Sequence, residues 1–88
     1  MTTRGPAIQP PYDASERVYA RFRTNLRAWM VRARIADAEA LARKTGWCPR
    51  RCRRLVDGTT RPSLADLVTL GRALSVSPGT LAFGPPPP

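Results

Sequence analysis

GWCPRRCRRLVDG, residues 46–58, is the stretch on which the fold of this chain depends. It places four arginines within the five positions from Arg50 to Arg54, interrupted only by Cys52. Like charges three or four residues apart on a helix repel each other. A helix in this stretch therefore calls for negative charge from outside the helix to offset the repulsion.

Helix start and stop signals bound the arginine run. Cys48 occupies the N-cap position, and Pro49 follows at the first helical position, where a missing N–H leaves no helical bond unmade. Trp47 and Cys52 stand at the two positions of a hydrophobic staple. Gly58 supplies the stop. The pattern predicts a short helix over residues 49 to about 57.

This helix is amphipathic. At about 100° per residue, Cys52, Leu55 and Val56 fall within one arc. The opposite arc holds the charged side chains, namely Arg50, Arg53 and Arg54, with Arg51 on the flank. One side is therefore predicted to pack and the other to present guanidinium groups.

A second short helix precedes it, over residues 38–45. Asp37 is a suitable N-cap, Glu39 suits the positive end of the helix dipole, and Gly46 suits a left-handed terminus. Ala42 provides a small side chain where the two helices must cross closely. Two short helices joined by a tight glycine-containing turn predict a helix-turn-helix.

Three further helical signals predict an all-α fold, a compact bundle of about five helices. The first helix, from about residue 14 to 33, has an apolar stripe of Val18, Phe22, Leu26, Trp29, Met30 and Ala33, with the register of Trp29 against Met30 left open. The fourth follows an N-cap at Ser63, with apolar positions Leu64, Leu67, Val68, Gly71 and Leu74. A single-turn fifth helix after Ser77-Pro78 is anchored by Leu81 and Phe83.

Prolines concentrate at both ends of the chain. They predict a flexible N-terminal arm at residues 1–13 and a proline tail at residues 84–88, both disordered, around a helix-turn-helix domain at residues 14–83. Arg4 in the arm has two interpretations, a contact in a DNA minor groove or a residue of a disordered tail.

The net charge of +9 indicates a polyanionic partner, most often nucleic acid. The alternative is an arginine-rich composition that only reflects a GC-rich genome. Apolar runs fall far short of the ~20 residues that a membrane span needs, and no signal peptide is apparent. The expected location is the cytoplasm, in association with the nucleoid and without membrane contact.

Catalytic and metal-binding functions are not expected. The chain has no histidine, and Cys48 and Cys52 alone do not complete a four-ligand metal site. No glycine-rich phosphate loop or paired acidic cluster is present, so we expect no enzyme activity and no cofactor. Oxidation of Cys48, beside the arginines, is a further hypothesis for weakening DNA binding.

The helix-turn-helix register resembles that of the lambda-repressor-like superfamily, which includes phage repressors, Cro proteins and the xenobiotic-response-element regulators. The likeness spans about residues 26–83. The residues that carry it are Leu41-Ala42, Gly46, Cys52, Leu55, Gly58, Pro62-Ser63 and the segment LVTLGRALSVSPGTL at 67–81. Two positions depart from the family pattern: Ala38 stands where many members carry glutamine, and Val56 where many carry glutamate.

The resemblance implies sequence-specific binding of double-stranded DNA, usually by a homodimer and usually for repression, by a Cro-like protein or a minimal immunity repressor. Arg50 and Arg54 are then expected to contact bases, because arginine donates two hydrogen bonds to guanine O6 and N7. The expected DNA-backbone contacts are Arg51, Arg53, Lys44 and Arg61, with Cys48 and Pro49 capping the recognition helix. Under this assignment Arg51→Ala weakens all DNA sites alike.

Two other classes of function remain open from the sequence. One is an antitoxin-like or other protein-interaction module that also binds DNA. The other is a non-specific nucleic-acid-binding protein, whose arginines only neutralise phosphates. The candidate dimer surfaces are the long first helix and the segment around Leu81 and Phe83.

Overall fold

A computed structural model of the protein describes residues 14–88, the side chains of Ala14 and Ser15 excepted; the predicted N-terminal arm, including Arg4, lies outside this range. The elements are α1 (Ala14–Arg32), α2 (Ala38–Thr45), α3 (Pro49–Asp57), α4 (Leu64–Leu74) and α5 (Pro78–Phe83). The prediction of an all-α bundle of five helices is confirmed, and residues 14–88 contain no strand.

Local capping chemistry sets most of the helix bounds. Asp37 Oδ1 accepts a hydrogen bond from the Ala40 N–H at 2.8 Å, and Gly46 ends α2 in the left-handed conformation at φ 84°. At the start of α4, Ser63 and Asp66 form a reciprocal capping box. The Asp66 N–H donates to Ser63 Oγ at 3.1 Å, and the Ser63 N–H donates to Asp66 Oδ2 at 2.9 Å. Because these groups satisfy the free backbone donors of a helix start, they fix where each helix begins.

The core lies where α1 and α4–α5 enclose the α2–α3 pair, and every helix contributes to it. Its buried side chains are Phe22, Leu26, Met30, Ile35, Ala38, Leu41, Ala42, Cys52, Leu55, Leu70, Leu74 and Leu81. Met30 is buried and Trp29 only half-buried, which settles the register at the end of α1. No helix among residues 14–88 combines the length and the apolar character needed to cross a bilayer.

Part of the predicted α4 stripe is wrong. Leu64 is 77% exposed and Val68 is 40% exposed, whereas Leu70, absent from the prediction, is fully buried. The inward face of α4 is centred on Leu70 and Leu74, and at 100° per residue Leu64 and Val68 lie roughly a quarter turn or more away from that centre. Asp66 shares the inward face, because it caps the helix and meets α3 there.

Two residues predicted for the apolar stripe of the first helix, and one predicted to anchor the fifth, were also assigned wrongly to the core. Val18 and Ala33 are exposed, the latter because α1 ends at Arg32. Phe83 is 64% exposed although Leu81 is fully buried. Two residues two positions apart on a helix lie about 200° from each other, so Leu81 and Phe83 cannot both face the core.

A buried asparagine on α1 holds α5 in place. Asn25 Nδ2 donates to the backbone oxygens of Leu81 at 3.1 Å and Gly84 at 2.9 Å. The last carbonyls of a helix lack partners within the helix, so this amide satisfies groups that burial would otherwise leave unpaired. Asn25 therefore fixes the end of α5 against α1, across 56 residues of sequence.

Candidate nucleic-acid interface

α2 and α3, the two helices predicted to form a helix-turn-helix, pack against each other across a three-residue turn. The turn consists of Gly46, Trp47 and Cys48, and the Gly46 N–H donates to the Ala42 oxygen at 2.8 Å. Leu41 and Leu55 have no exposed surface, so the inward side of each helix is packed in the core. The outer side of α3 is thereby held as a fixed surface.

The ends of α3 agree with the capping prediction. Cys48 has the extended N-cap conformation, although its side chain makes no capping hydrogen bond, and Pro49 takes the first helical position. Gly58 ends the helix at φ 84°, and its N–H donates to the Arg54 oxygen at 3.0 Å. The first turn of α3 therefore begins directly after the three-residue connection from α2.

Three of the arginines expected at DNA phosphates have carboxylate partners within the chain. Arg51 and Arg53 lie on α3, and Arg61 lies in the loop after it. The three ion pairs are Arg51–Asp66, Arg53–Glu39 and Arg61–Glu16. Arg51 also stacks over the Trp47 ring and Arg61 over the Tyr19 ring, each with the guanidinium carbon 4.6 Å from the ring centroid. Part of the negative charge that α3 requires is therefore supplied by α2 and α4, and α1 supplies the partner of Arg61 in the loop after α3.

Arg50 and Arg54 differ from these three arginines. Both are exposed, they lie one turn apart, and no carboxylate of residues 14–88 pairs with either. They line an open concavity of about 420 Å³, which we call the α3 cleft; its other lining residues are Cys48, Arg51, Thr60, Arg61 and Asp66. Lys44 lies exposed in the last turn of α2. The structure thus brings the two arginines expected at bases to one cleft, where neither forms an ion pair with a carboxylate of residues 14–88.

The C-terminus of α3 is supported by arginines of α1 that the sequence did not indicate. Arg27 Nη2 donates to the Val56 oxygen at 2.9 Å, and the Arg23 side chain lies against Gly58. A cation at a helix C-terminus is favourable, because it faces the negative end of the helix dipole. Arg27 and Val56 are 29 positions apart, so no local pattern in the sequence could have indicated this contact.

The two cysteines differ in environment. Cys48 is exposed at the α3 cleft, and Cys52 is buried in the core; both are free thiols. Burial raises the pKa of the Cys52 thiol, and the contact between its Sγ and Thr45 Oγ1 at 3.8 Å partly opposes that rise. Within residues 14–88, no group of three or more histidine, cysteine or acidic side chains is arranged to hold a metal ion.

This difference predicts selective thiol chemistry. At pH 8 we expect a disulfide reagent such as DTNB to modify Cys48 quickly and Cys52 at least about a hundredfold more slowly, because Cys52 reacts only after local opening. The measurement is the release of thionitrobenzoate over time. A Cys48→Ser control should remove the fast phase, and two fast phases of equal size would contradict the expectation.

No family model, curated protein or solved structure was found to match this chain.

Proposed function

We propose that this protein is a sequence-specific regulator that binds double-stranded DNA, a transcriptional repressor of the phage or prophage type, Cro-like or a minimal immunity repressor. The observation that supports this most is the outer face of α3. Arg50 and Arg54 are exposed one turn apart on a helix whose other side packs into the core through Cys52 and Leu55, and they have no carboxylate partner among residues 14–88. Such a protein acts on the bacterial nucleoid.

The dimensions and charge of α3 suit the major groove of DNA. That groove is about 12 Å wide and admits one helix, and guanine presents two acceptors there that match the arginine fork. In this proposal Arg50 and Arg54 contact bases from α3. Lys44, Arg53 and Arg61 contact phosphates, and the two arginines exchange their exposed carboxylate partners for DNA. Exposed ion pairs contribute about 1 kcal/mol or less, so the exchange is nearly free of energetic cost.

We also propose that the protein binds DNA as a homodimer through α1 and α5. Val18 and Phe83, both exposed, line an apolar concavity of about 310 Å³ between α1, α4 and α5. An exposed aromatic ring beside an apolar concavity is the typical composition of an interface centre. A dimer of this kind predicts recognition of two half-sites related by twofold symmetry.

The dimer proposal can be tested at Phe83. Phe83→Asp should raise the dimer dissociation constant about tenfold or more, because a charge would replace an aromatic anchor at the interface. Sedimentation equilibrium measures this directly. Leu64→Asp is the matched control, since Leu64 is exposed but does not line the concavity, and it should leave association unchanged. A wild-type monomer, or a dimer unaffected by Phe83→Asp, would contradict this part of the proposal.

The function itself is tested by selection from a randomised pool of DNA duplexes at near-physiological salt, followed by sequencing. Enrichment of an inverted repeat is the expected result. A variant carrying Arg50→Gln and Arg54→Gln serves as control and should lose that enrichment. Retained binding with no enriched sequence would overturn the proposal and assign the protein to non-specific nucleic-acid binding, which depends on phosphate neutralisation alone.

A further inference from the structure

Arg51 has a different environment from the other arginines of α3. Its guanidinium lies between the Trp47 ring, at 4.6 Å from the centroid, and the carboxylate of Asp66. The Asp66 side chain is only 9% exposed, whereas Glu39 and Glu16, the partners of Arg53 and Arg61, are 45% and 62% exposed. The Arg51 pair is thus the pair with a buried partner among the three in residues 14–88.

The carboxylate of Asp66 connects α3 to the start of α4. Its Oδ1 accepts the hydrogen bond from Arg51, and its Oδ2 accepts the Ser63 N–H at 2.9 Å as part of the α4 capping box. The contacts run without a break from Trp47 in the turn, through Arg51 on α3, to Asp66 and Ser63 at the start of α4. The start of α3 is therefore tied to the start of α4 by Arg51 and Asp66, which both line the α3 cleft.

Moving Arg51 to a DNA phosphate would break this arrangement. The Asp66 carboxylate would lose its cation while remaining buried, and an uncompensated buried charge is strongly unfavourable. Arg53 and Arg61 carry no such penalty, because their carboxylate partners are already hydrated. The three ion pairs therefore differ in how readily each arginine can be exchanged for phosphate.

We infer that Arg51 is a positioning residue, which fixes α3 against α4 and so sets the direction in which Arg50 and Arg54 point into the α3 cleft. This replaces the phosphate contact expected for Arg51 from the sequence, and it rests on the proposed function. The residue acts on sequence selectivity through its neighbours, without touching DNA.

The two roles of Arg51 give opposite results in one binding experiment. For Arg51→Met, positioning predicts that the ratio of affinities for the enriched duplex and a scrambled duplex falls about three- to tenfold, with an unchanged salt dependence. A phosphate contact predicts an unchanged ratio and a slope of log affinity against log salt that is smaller by about 0.9. Arg53→Met is the matched control on the same helix, and it should show that change of slope.

Asp66→Asn provides a second variant that leaves every arginine in place. The positioning role predicts a fall in the affinity ratio here as well, because Arg51 loses its anchor. If Arg51 instead binds phosphate, its release from Asp66 strengthens binding to both duplexes equally and keeps the ratio constant. An unchanged ratio in both variants, together with a reduced salt slope for Arg51→Met, would overturn the inference.

A measurement without DNA separates this inference from the proposed function. In a double-mutant cycle of Arg51→Met and Asp66→Asn, we expect the unfolding constants to be coupled about three- to tenfold. Arg53→Met with Glu39→Gln, an exposed pair on the same surface, should be coupled less than about twofold. If Arg51 and Asp66 are not coupled, the inference about Arg51 is overturned and the proposed function still stands. If the wild-type protein has no sequence preference, the proposed function is overturned.

Discussion

Arg50→Ala and Arg54→Ala are each expected to weaken binding to the enriched DNA site by about 1–3 kcal/mol, roughly five- to 150-fold, and to relax the preference at one base pair. The reason is that each side chain is exposed in the α3 cleft without a carboxylate partner among residues 14–88, so its guanidinium is available for a guanine edge. Fluorescence anisotropy with duplexes substituted at each position measures both effects.

Lys44→Ala is the control for this prediction. Lys44 is exposed at the end of α2, away from the α3 cleft, and its loss should weaken all duplexes alike. Equal losses for the enriched and the scrambled duplex in Arg50→Ala and Arg54→Ala would show that these arginines only neutralise phosphate. The division of roles along α3 would then be wrong.

Gly71→Ala is expected to destabilise the fold by about 1–3 kcal/mol, a large part of the stability of a domain of this size. A Cβ at Gly71 would lie 2.5 Å from the backbone oxygen of Val76, where the chain turns from α4 into α5. Because the obstructing atom belongs to the backbone, a change of rotamer cannot relieve the overlap. The Val76 N–H also donates to the Gly71 oxygen at 2.9 Å, so any shift would strain that bond.

Gly79→Ala is the matched control for the effect at Gly71. Apart from its chain neighbours and the backbone of its own helix, no atom lies within 4 Å of a Cβ at Gly79 in α5, so alanine there should be neutral or stabilising by about 0.4–1 kcal/mol. Urea unfolding of the two variants measures the difference. A Gly71→Ala protein as stable as Gly79→Ala would contradict the close packing at the α4–α5 turn.

The helix bounds near the helix-turn-helix could be predicted because they depend on neighbours in sequence. Asp37, Pro49 and Gly58 act within their own turns of chain, and the structure places α2 and α3 as the sequence indicated. The N-cap at Ser63 was predicted for the same reason, and the structure completes it with a capping box to Asp66, three residues on. Local chemistry alone was sufficient for these features.

Contacts between distant elements could not be predicted in this way. Asn25 stands in the apolar stripe of α1, and its role depends on α5 carbonyls that only the folded chain brings near. The second bond of Asp66, to Arg51, depends equally on how α3 and α4 cross. The arginine run showed that α3 needs compensating charge, but which carboxylate meets which arginine is decided by packing.

The most direct test of the central claim, that α3 reads bases in the major groove, is binding to the enriched duplex with single guanines replaced by 7-deazaguanine. This base lacks the N7 acceptor and keeps normal pairing, so it removes one of the two bonds from an arginine fork. We predict that the wild-type protein binds at least one such duplex about tenfold more weakly, and that Arg50→Ala or Arg54→Ala does not distinguish the same duplex from the unmodified one. Unchanged wild-type affinity at every guanine of the site would contradict the claim.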